Sequence, residues 1–351
     1  MSRQLRALFV FGFLIASVGC FDGAWQTRRM DPEEGLPAEL VIRNETRERR
    51  EFGREIRALL VARRYDSLEH IARRLRQERT RWPNGTWKLR SFYDEAFDGP
   101  VVKTSESEWK AFLGQLREWI AARPTSVTAH VALGHAIIEY GWHARGGGYA
   151  HEVTEAGHRL LHQRLEQADS VLQAAARLPE FCPATAAARL RVALADHDWS
   201  RERYDSLFEA AVAAEPTYEQ YYERKAYYLL PRWHGRSGEW QRWAQQVSDH
   251  IGGEEGDAMY ARIAWLLAEY EGTDMFEDDD VSWERTSRGY QYLTRTYPNS
   301  LELQSAYALL ATWAEDRSHA RAMFERIGPR VEPTVWSSRD GFVQWRDWAM
   351  Q

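Results

Sequence analysis

Two cysteines in 351 residues, Cys20 and Cys182, are too few for a disulfide framework or a cysteine zinc site. Lysine is scarce too, with only 4, and 52 acids against 46 bases leave a formal net charge of −6, which argues against a nucleic-acid partner. The longest apolar stretch, Ala7 to Phe21, is 15 residues, short of the ~20 that a spanning helix needs. A mean hydropathy of −0.61 excludes a polytopic membrane protein. The chain has no G-x-S-x-G and no cysteine–histidine pair, and Gly146-Gly147-Gly148 follows a helical pattern rather than the strand that a phosphate-cradling loop needs. What it has in quantity is aromatic mass. Aromatics make up 13%, with 16 Trp, and 44% of residues are hydrophobic, so the chain can bury a substantial core and is not a disordered tail.

The N-terminus reads as an export signal. Arg3 and Arg6 form a basic start, Ala7 to Val18 an apolar run, and Ser17-Val18-Gly19-Cys20 closes it with small residues. This resembles the lipobox of bacterial lipoproteins, which implies acylation of the Cys20 thiol, removal of residues 1–19 and anchoring to a membrane through lipid. Ser17 stands where lipoboxes usually carry Leu, and Ser17 with Gly19 also satisfies ordinary small-x-small cleavage. Phe21 in place of aspartate after the cysteine points to the outer membrane of a double-membraned bacterium. Removing residues 1–19 takes away two arginines and no acids, moving the net charge from −6 to −8. Asn44-Glu45-Thr46 and Asn84-Gly85-Thr86 match glycosylation sequons but carry no weight in a bacterial setting.

Residues 20–47 read as a flexible linker and residues 48–351 as an all-α domain of amphipathic segments with short polar breaks. Trp109, Phe112, Leu113, Leu116, Trp119 and Ile120 form one stripe at helical spacing. Leu160, Leu161, Leu165, Ala168, Val171, Leu172, Ala175 and Leu178 form another, and Met259, Ile263, Leu266, Leu267 and Tyr270 a third. Strands find little room. Pro124, Pro216 and Pro298 each stand between two such segments, where a missing N–H costs nothing. Pro83 to Pro124 is 41 residues and Pro216 to Pro298 is 82, although Pro179 lies off this grid. The units resemble tetratricopeptide-type helix pairs with longer elements, which implies an α-solenoid of antiparallel pairs.

Two further self-similarities mark degenerate copies of one module. Trp142-His143-Ala144-Arg145-Gly146-Gly147 recurs as Trp233-His234-Gly235-Arg236-Ser237-Gly238, each expected to close the second helix of a pair. Arg64-Tyr65-Asp66-Ser67-Leu68 recurs as Arg203-Tyr204-Asp205-Ser206-Leu207, each expected to open a helix through Asp or Ser. These stretches, with Tyr228-Leu229-Leu230-Pro231-Arg232-Trp233-His234-Gly235, resemble a bacterial exported family known as a domain of unknown function, type 4034. The resemblance spans residues 51–252, leaving helical pairs at 253–351. It implies an exported helical-repeat domain and brings no activity or site residue with it.

Four histidines-and-arginines, His143, Arg145, His234 and Arg236, together with Trp142, Arg232 and Trp233, are the residues that the motifs nominate. One reading is structural: Trp locks one pair onto the next, Gly caps, and Arg bonds carbonyls at the helix end. The other gathers both loops into one recess for a peptide or an anionic group. Six histidines between His130 and His162 (His130, His135, His143, His151, His158, His162) lack metal-hydrolase spacing and read as surface and helix-terminal residues, so no metal is expected. Glu277-Asp278-Asp279-Asp280 lacks the alternating oxygens of a calcium loop and reads as a solvated connection. The expectation is a noncatalytic scaffold, without cofactor, that docks a protein partner at the cell envelope through a concave face. The alternative is a glycan-binding lipoprotein using an exposed row of Trp, and a more remote one is a hydrolase.

Overall fold

The computed structural model describes residues 40–100, 105–148, 152–196, 198–277, 280–336 and 338–351. The signal segment and Cys20 lie outside them. The architecture is all-α, a helical repeat of antiparallel pairs. In chain order it runs β1 (Val41–Ile42), α1 (Glu45–Val61), α2 (Tyr65–Glu78), α3 (Lys88–Asp94), α4 (Glu106–Ala122), α5 (Val127–Arg145), α6 (Glu155–Ala176) and α7 (Pro183–Ala195). It continues with α8 (Arg201–Ala214), α9 (Gln220–Tyr228), α10 (Glu239–Ile251), α11 (Gly253–Glu271), α12 (Trp283–Thr296), α13 (Leu301–Trp313), α14 (Arg317–Ile327), β2 (Arg330–Val331) and α15 (Arg339–Met350).

Local chemistry sets the helix starts. Asn44, Ser105, Ser126, Thr154, Ser200, Ser282, Ser300, Asp316 and Ser338 each accept a hydrogen bond from a backbone N–H three residues on, satisfying donors that the helix leaves open. Pro183 occupies the first position of α7, where its missing N–H does no harm. Pro124, Pro216 and Pro298 sit in the turns α4–α5, α8–α9 and α12–α13, the equivalent places that their spacing implied.

The helices divide into two kinds. In α4 only the stripe of Trp109, Phe112, Leu113, Leu116 and Trp119 is buried. In α5 nearly every residue from Val127 to Trp142 is buried, and in α9 every residue is, including Glu223, Arg224 and Lys225. A helix buried all round belongs to the interior. Accordingly α5, α7, α9 and α11 pack side by side as an inner row, while α4, α6, α8, α10 and α12 cover it from outside. Leu160 departs from its expected stripe, being 39% exposed beside the buried Leu161.

Three features go beyond a plain solenoid of antiparallel pairs. First, β1 and the start of α1 lie ahead of residue 48: β1 pairs in parallel with β2, Val41 opposite Arg330, and α1 starts at Glu45, inside the expected 20–47 linker. Second, the two ends of the stack are tied together. The Glu45 carboxylate accepts hydrogen bonds from Ser300 Oγ (3.0 Å) and the Leu301 N–H at the start of α13, while Glu332 accepts the Glu45 N–H at 2.9 Å. Third, α3 lies across the inner row, against α5 and α7 and hydrogen-bonded to α9. Its Leu89, Phe92 and Tyr93 and the flanking Trp87 and Phe97 are buried, so the inner face is where this aromatic segment hides from water.

Candidate functional site

The two tryptophan motifs end differently. In the first, α5 continues through Trp142 to Arg145, and Gly146 stops it at φ +78°. Arg145 Nη1 bonds the carbonyls of Gly146 (3.2 Å) and Gly148 (3.0 Å), just past the end of the helix. In the second, α9 stops at Tyr228, five residues ahead of Trp233, so this copy does not close a helix. Pro231 is the reason, since it has no N–H and disfavours a helical residue before it. The turn folds back so tightly that a Cβ on Gly235 would lie 1.7 Å from the Leu229 carbonyl oxygen. Arg236 is exposed, and its backbone N–H, rather than its guanidinium, meets Glu239 at 2.8 Å.

The two histidines also face different surroundings. His143 is exposed against Trp109, with ring centroids 5.4 Å apart, whereas His234 stacks on Tyr228 at 4.3 Å and its Nε2 meets the Leu194 carbonyl at 2.9 Å. The paired openings differ as well. Arg64 stands just before α2, but Arg203 lies inside α8, whose cap is Ser200. Asp66 and Asp205 do not cap; they pair with Arg123 at 2.6 Å and with Lys225.

What does converge is the pair of indoles. Trp142 and Trp233, 91 positions apart in the chain, meet edge to face at 6.1 Å and 89°. Tyr227 lies 6.0 Å from Trp233 and 5.7 Å from Tyr270. The Arg232 guanidinium sits 3.8 Å over Tyr270 and 5.1 Å over Tyr227, and its Nη2 donates to the Tyr227 hydroxyl at 2.8 Å. Arg145 lies 5.6 Å over Trp142. Next to Tyr270 is Glu269, whose pKa burial pushes up, with Arg232 working in the opposite direction. The result is an aromatic wall with guanidinium groups on it and one half-buried carboxylate. Tyr227, Glu269 and Tyr270 escaped sequence reading. Tyr270 was visible only as the last member of a core stripe, and Glu269 had no signal at all.

A second constellation lies inside, where α3 meets the inner row. Asp94 accepts from His135 Nε2 and Gln220 Nε2, each at 3.0 Å, and from Arg90 at 3.2 Å; Arg90 also reaches Glu223 at 2.7 Å. Burial alone would raise the Asp94 carboxyl, but the hydrogen bond and charge of His135, with Arg90 and Arg224, outweigh it and hold the group well below the usual range. Burial works to lower His135, and Asp94 overrides it and raises the imidazole above its ordinary value. His135 is thus a buried, paired residue, correcting the expectation that this histidine run lies at the surface. His162 does lie near the surface, with atoms of Glu166 and Asp198 within 4.8 Å of its own, and His151 lies outside the described residues. Asp278 and Asp279 of the acidic run lie outside them too.

Among the described residues no tryptophan is exposed, which removes the row of stacking surfaces that glycan binding called for. Several act as locks instead. Trp87 Nε1 donates to the Thr217 carbonyl (2.8 Å), Trp119 to Glu69 (3.0 Å), Trp240 to Glu271 (2.8 Å) and Trp283 to Asp316 (3.0 Å).

Residues 53–195 match the family described as Domain of unknown function (DUF4034). The match runs from within α1 to the end of α7, so it takes in the first tryptophan motif and the α3 segment but stops short of the second motif, and of the 252 expected as its limit. No curated protein and no solved structure matches the chain.

Proposed function

We propose that this is a noncatalytic, exported bacterial scaffold with tetratricopeptide-like repeats, held at the envelope by lipid on Cys20, that docks a protein partner where the two tryptophan turns meet. The observation that carries this reading is the 6.1 Å contact of Trp142 with Trp233, which joins two copies of one motif into a single aromatic cluster with Arg145 and Arg232 on it. The site so proposed is the junction of the two motifs rather than the concave face first expected. Stacked helix pairs expose long surfaces suited to other polypeptides, and aromatic residues with arginine are the side chains on which such contacts concentrate. The lipid and export parts rest on the N-terminal pattern alone.

Capture and crosslinking from envelope extracts test the docking part. The mature chain should retain a partner that the Arg232→Ala and Trp233→Ala chains lose, with unfolding midpoints measured in parallel. Equal capture by all three chains would remove this junction from the function. A mature N-terminal peptide whose mass lacks acyl chains on Cys20 would remove the anchor.

A further inference from the structure

Away from the two tryptophan turns, one imidazole stands among three carboxylates. His162 and Glu166 lie one turn apart on α6, while Asp196 and Asp198 come from the connection between α7 and α8. His162 Nε2 is 3.8 Å from both Glu166 Oε1 and Asp198 Oδ2, and its Nδ1 is 3.4 Å from Asp196 Oδ1. His135 and His319 behave otherwise, each meeting one carboxylate at hydrogen-bond distance, 3.0 and 2.7 Å. A ring nitrogen carries at most one hydrogen, so Nε2 cannot serve two carboxylates, and at 3.8 Å it bonds neither. Among the described residues no arginine or lysine pairs with Glu166, Asp196 or Asp198. Three negative groups thus crowd one imidazole without a basic side chain to balance them.

We propose that His162, Glu166 and Asp198 ligate one divalent transition-metal ion of the zinc class, with Asp196 as the positioning residue behind the imidazole. Ligand atoms of the three residues already lie within 4.8 Å of one another. Bonds of about 2.0–2.2 Å to a tetrahedral ion put its ligand atoms roughly 3.4 Å apart, so small turns of surface side chains close the site. The buried Asp196 supplies the carboxylate that a ligating histidine keeps behind it: facing Nδ1, it favours the tautomer protonated there and leaves the Nε2 lone pair toward Glu166 and Asp198. Asp196 Oδ1 also accepts the Asp198 N–H at 3.1 Å, so one carboxylate places both ligands. One nitrogen with two oxygens suits a zinc-class ion better than the all-oxygen shell that calcium or magnesium takes. The side chains of His162, Glu166 and Asp198 are 43%, 58% and 73% exposed, so an ion reaches them without opening the fold. Once bound, it clips the α7–α8 connection to α6.

The test titrates the mature chain, stripped of metal by chelator and dialysis, with Zn²⁺ in isothermal calorimetry near neutral pH. The parent should take up one equivalent, and Zn²⁺ should raise its unfolding midpoint. His162→Gln and Asp198→Asn should each weaken uptake roughly tenfold or more, whereas His250→Gln, an exposed histidine on α10, should bind as the parent does. Circular dichroism without metal should be the same for all four chains, since the substituted side chains lie at or near the surface. No uptake below about 100 μM Zn²⁺, or equal uptake by the parent and both cluster variants, overturns the proposal. So does Ca²⁺ uptake as tight as that of Zn²⁺ and indifferent to His162→Gln, which would leave a carboxylate pair without the imidazole.

Discussion

At the scale of single residues, the fold depends on side chains that can do two things at once. Trp119 fills the interior while its N–H reaches Glu69, which also takes the Ser126 hydroxyl, so one indole fixes α4 against α2 and the start of α5. Glycine works by the opposite route, through what it lacks. Gly235 stands third in its motif and Gly146 fifth in the other, and their demands differ. A Cβ at Gly235 collides with backbone at 1.7 Å, whereas one at Gly146 meets nothing within 4 Å and suffers only from φ +78°. Gly235→Ala should therefore lower stability by roughly 3 kcal/mol or prevent folding of the turn, and Gly146→Ala by about 1 kcal/mol, compared in urea melts. Equal losses would contradict the two backbone geometries. The sequence shows both glycines after a tryptophan-histidine pair. It does not show that Pro231 ends the helix early in the second copy and turns its glycine into a close-approach residue.

At the scale of elements, α3 is the piece that departs most from a simple repeat. It is seven residues long, too short to hold its shape alone, and its burial comes from packing on α1 and α2 as well as α5 and α7, and from ties to α9. Asp94 is central, because it joins His135 of α5 and Gln220 of α9. Asp94→Ala should cost roughly 3–5 kcal/mol, since it leaves a buried imidazole and amide without their acceptor, and hydrogen exchange should rise across residues 82–98. Unchanged exchange there would mean that apolar burial alone seats α3. Which surface would receive the segment from Trp87 to Phe97 was not legible, because no periodic pattern in a short helix names its partner.

At the scale of the whole molecule, the tie between the ends decides the form. Glu332, Glu45 and Glu302 gather there with Arg49, which bonds Glu302 at 2.8 Å. Burial pushes the Glu332 carboxyl from 4.5 up to about 7, partly offset by hydrogen bonds from the Glu45 and Thr334 N–H groups and the Thr334 hydroxyl. A carboxyl raised in the folded state binds its proton more tightly there than in the unfolded chain. Its contribution is therefore full below about pH 4.5 and lost as pH climbs through about 7. Raised His135 adds a loss in the same direction above its ordinary 6.5, while depressed Asp94 contributes above 3.8 and loses that below it. Stability should peak on the acid side of neutrality, and Glu332→Gln should flatten the decline between pH 4.5 and 7 in denaturant titrations. A parent and variant with parallel pH profiles would remove Glu332 from this behaviour.

The amino-acid sequence by itself determined the all-α class, the proline turns and the kinship of the two tryptophan motifs, because periodicity and backbone chemistry act within a few residues of chain. Tertiary structure alone decided that α3 lies across the inner row, that Val41 meets Arg330, and that Trp142 faces Trp233. Those outcomes depend on which buried surface each segment finds across tens to hundreds of residues, and local pattern carries no record of that distance.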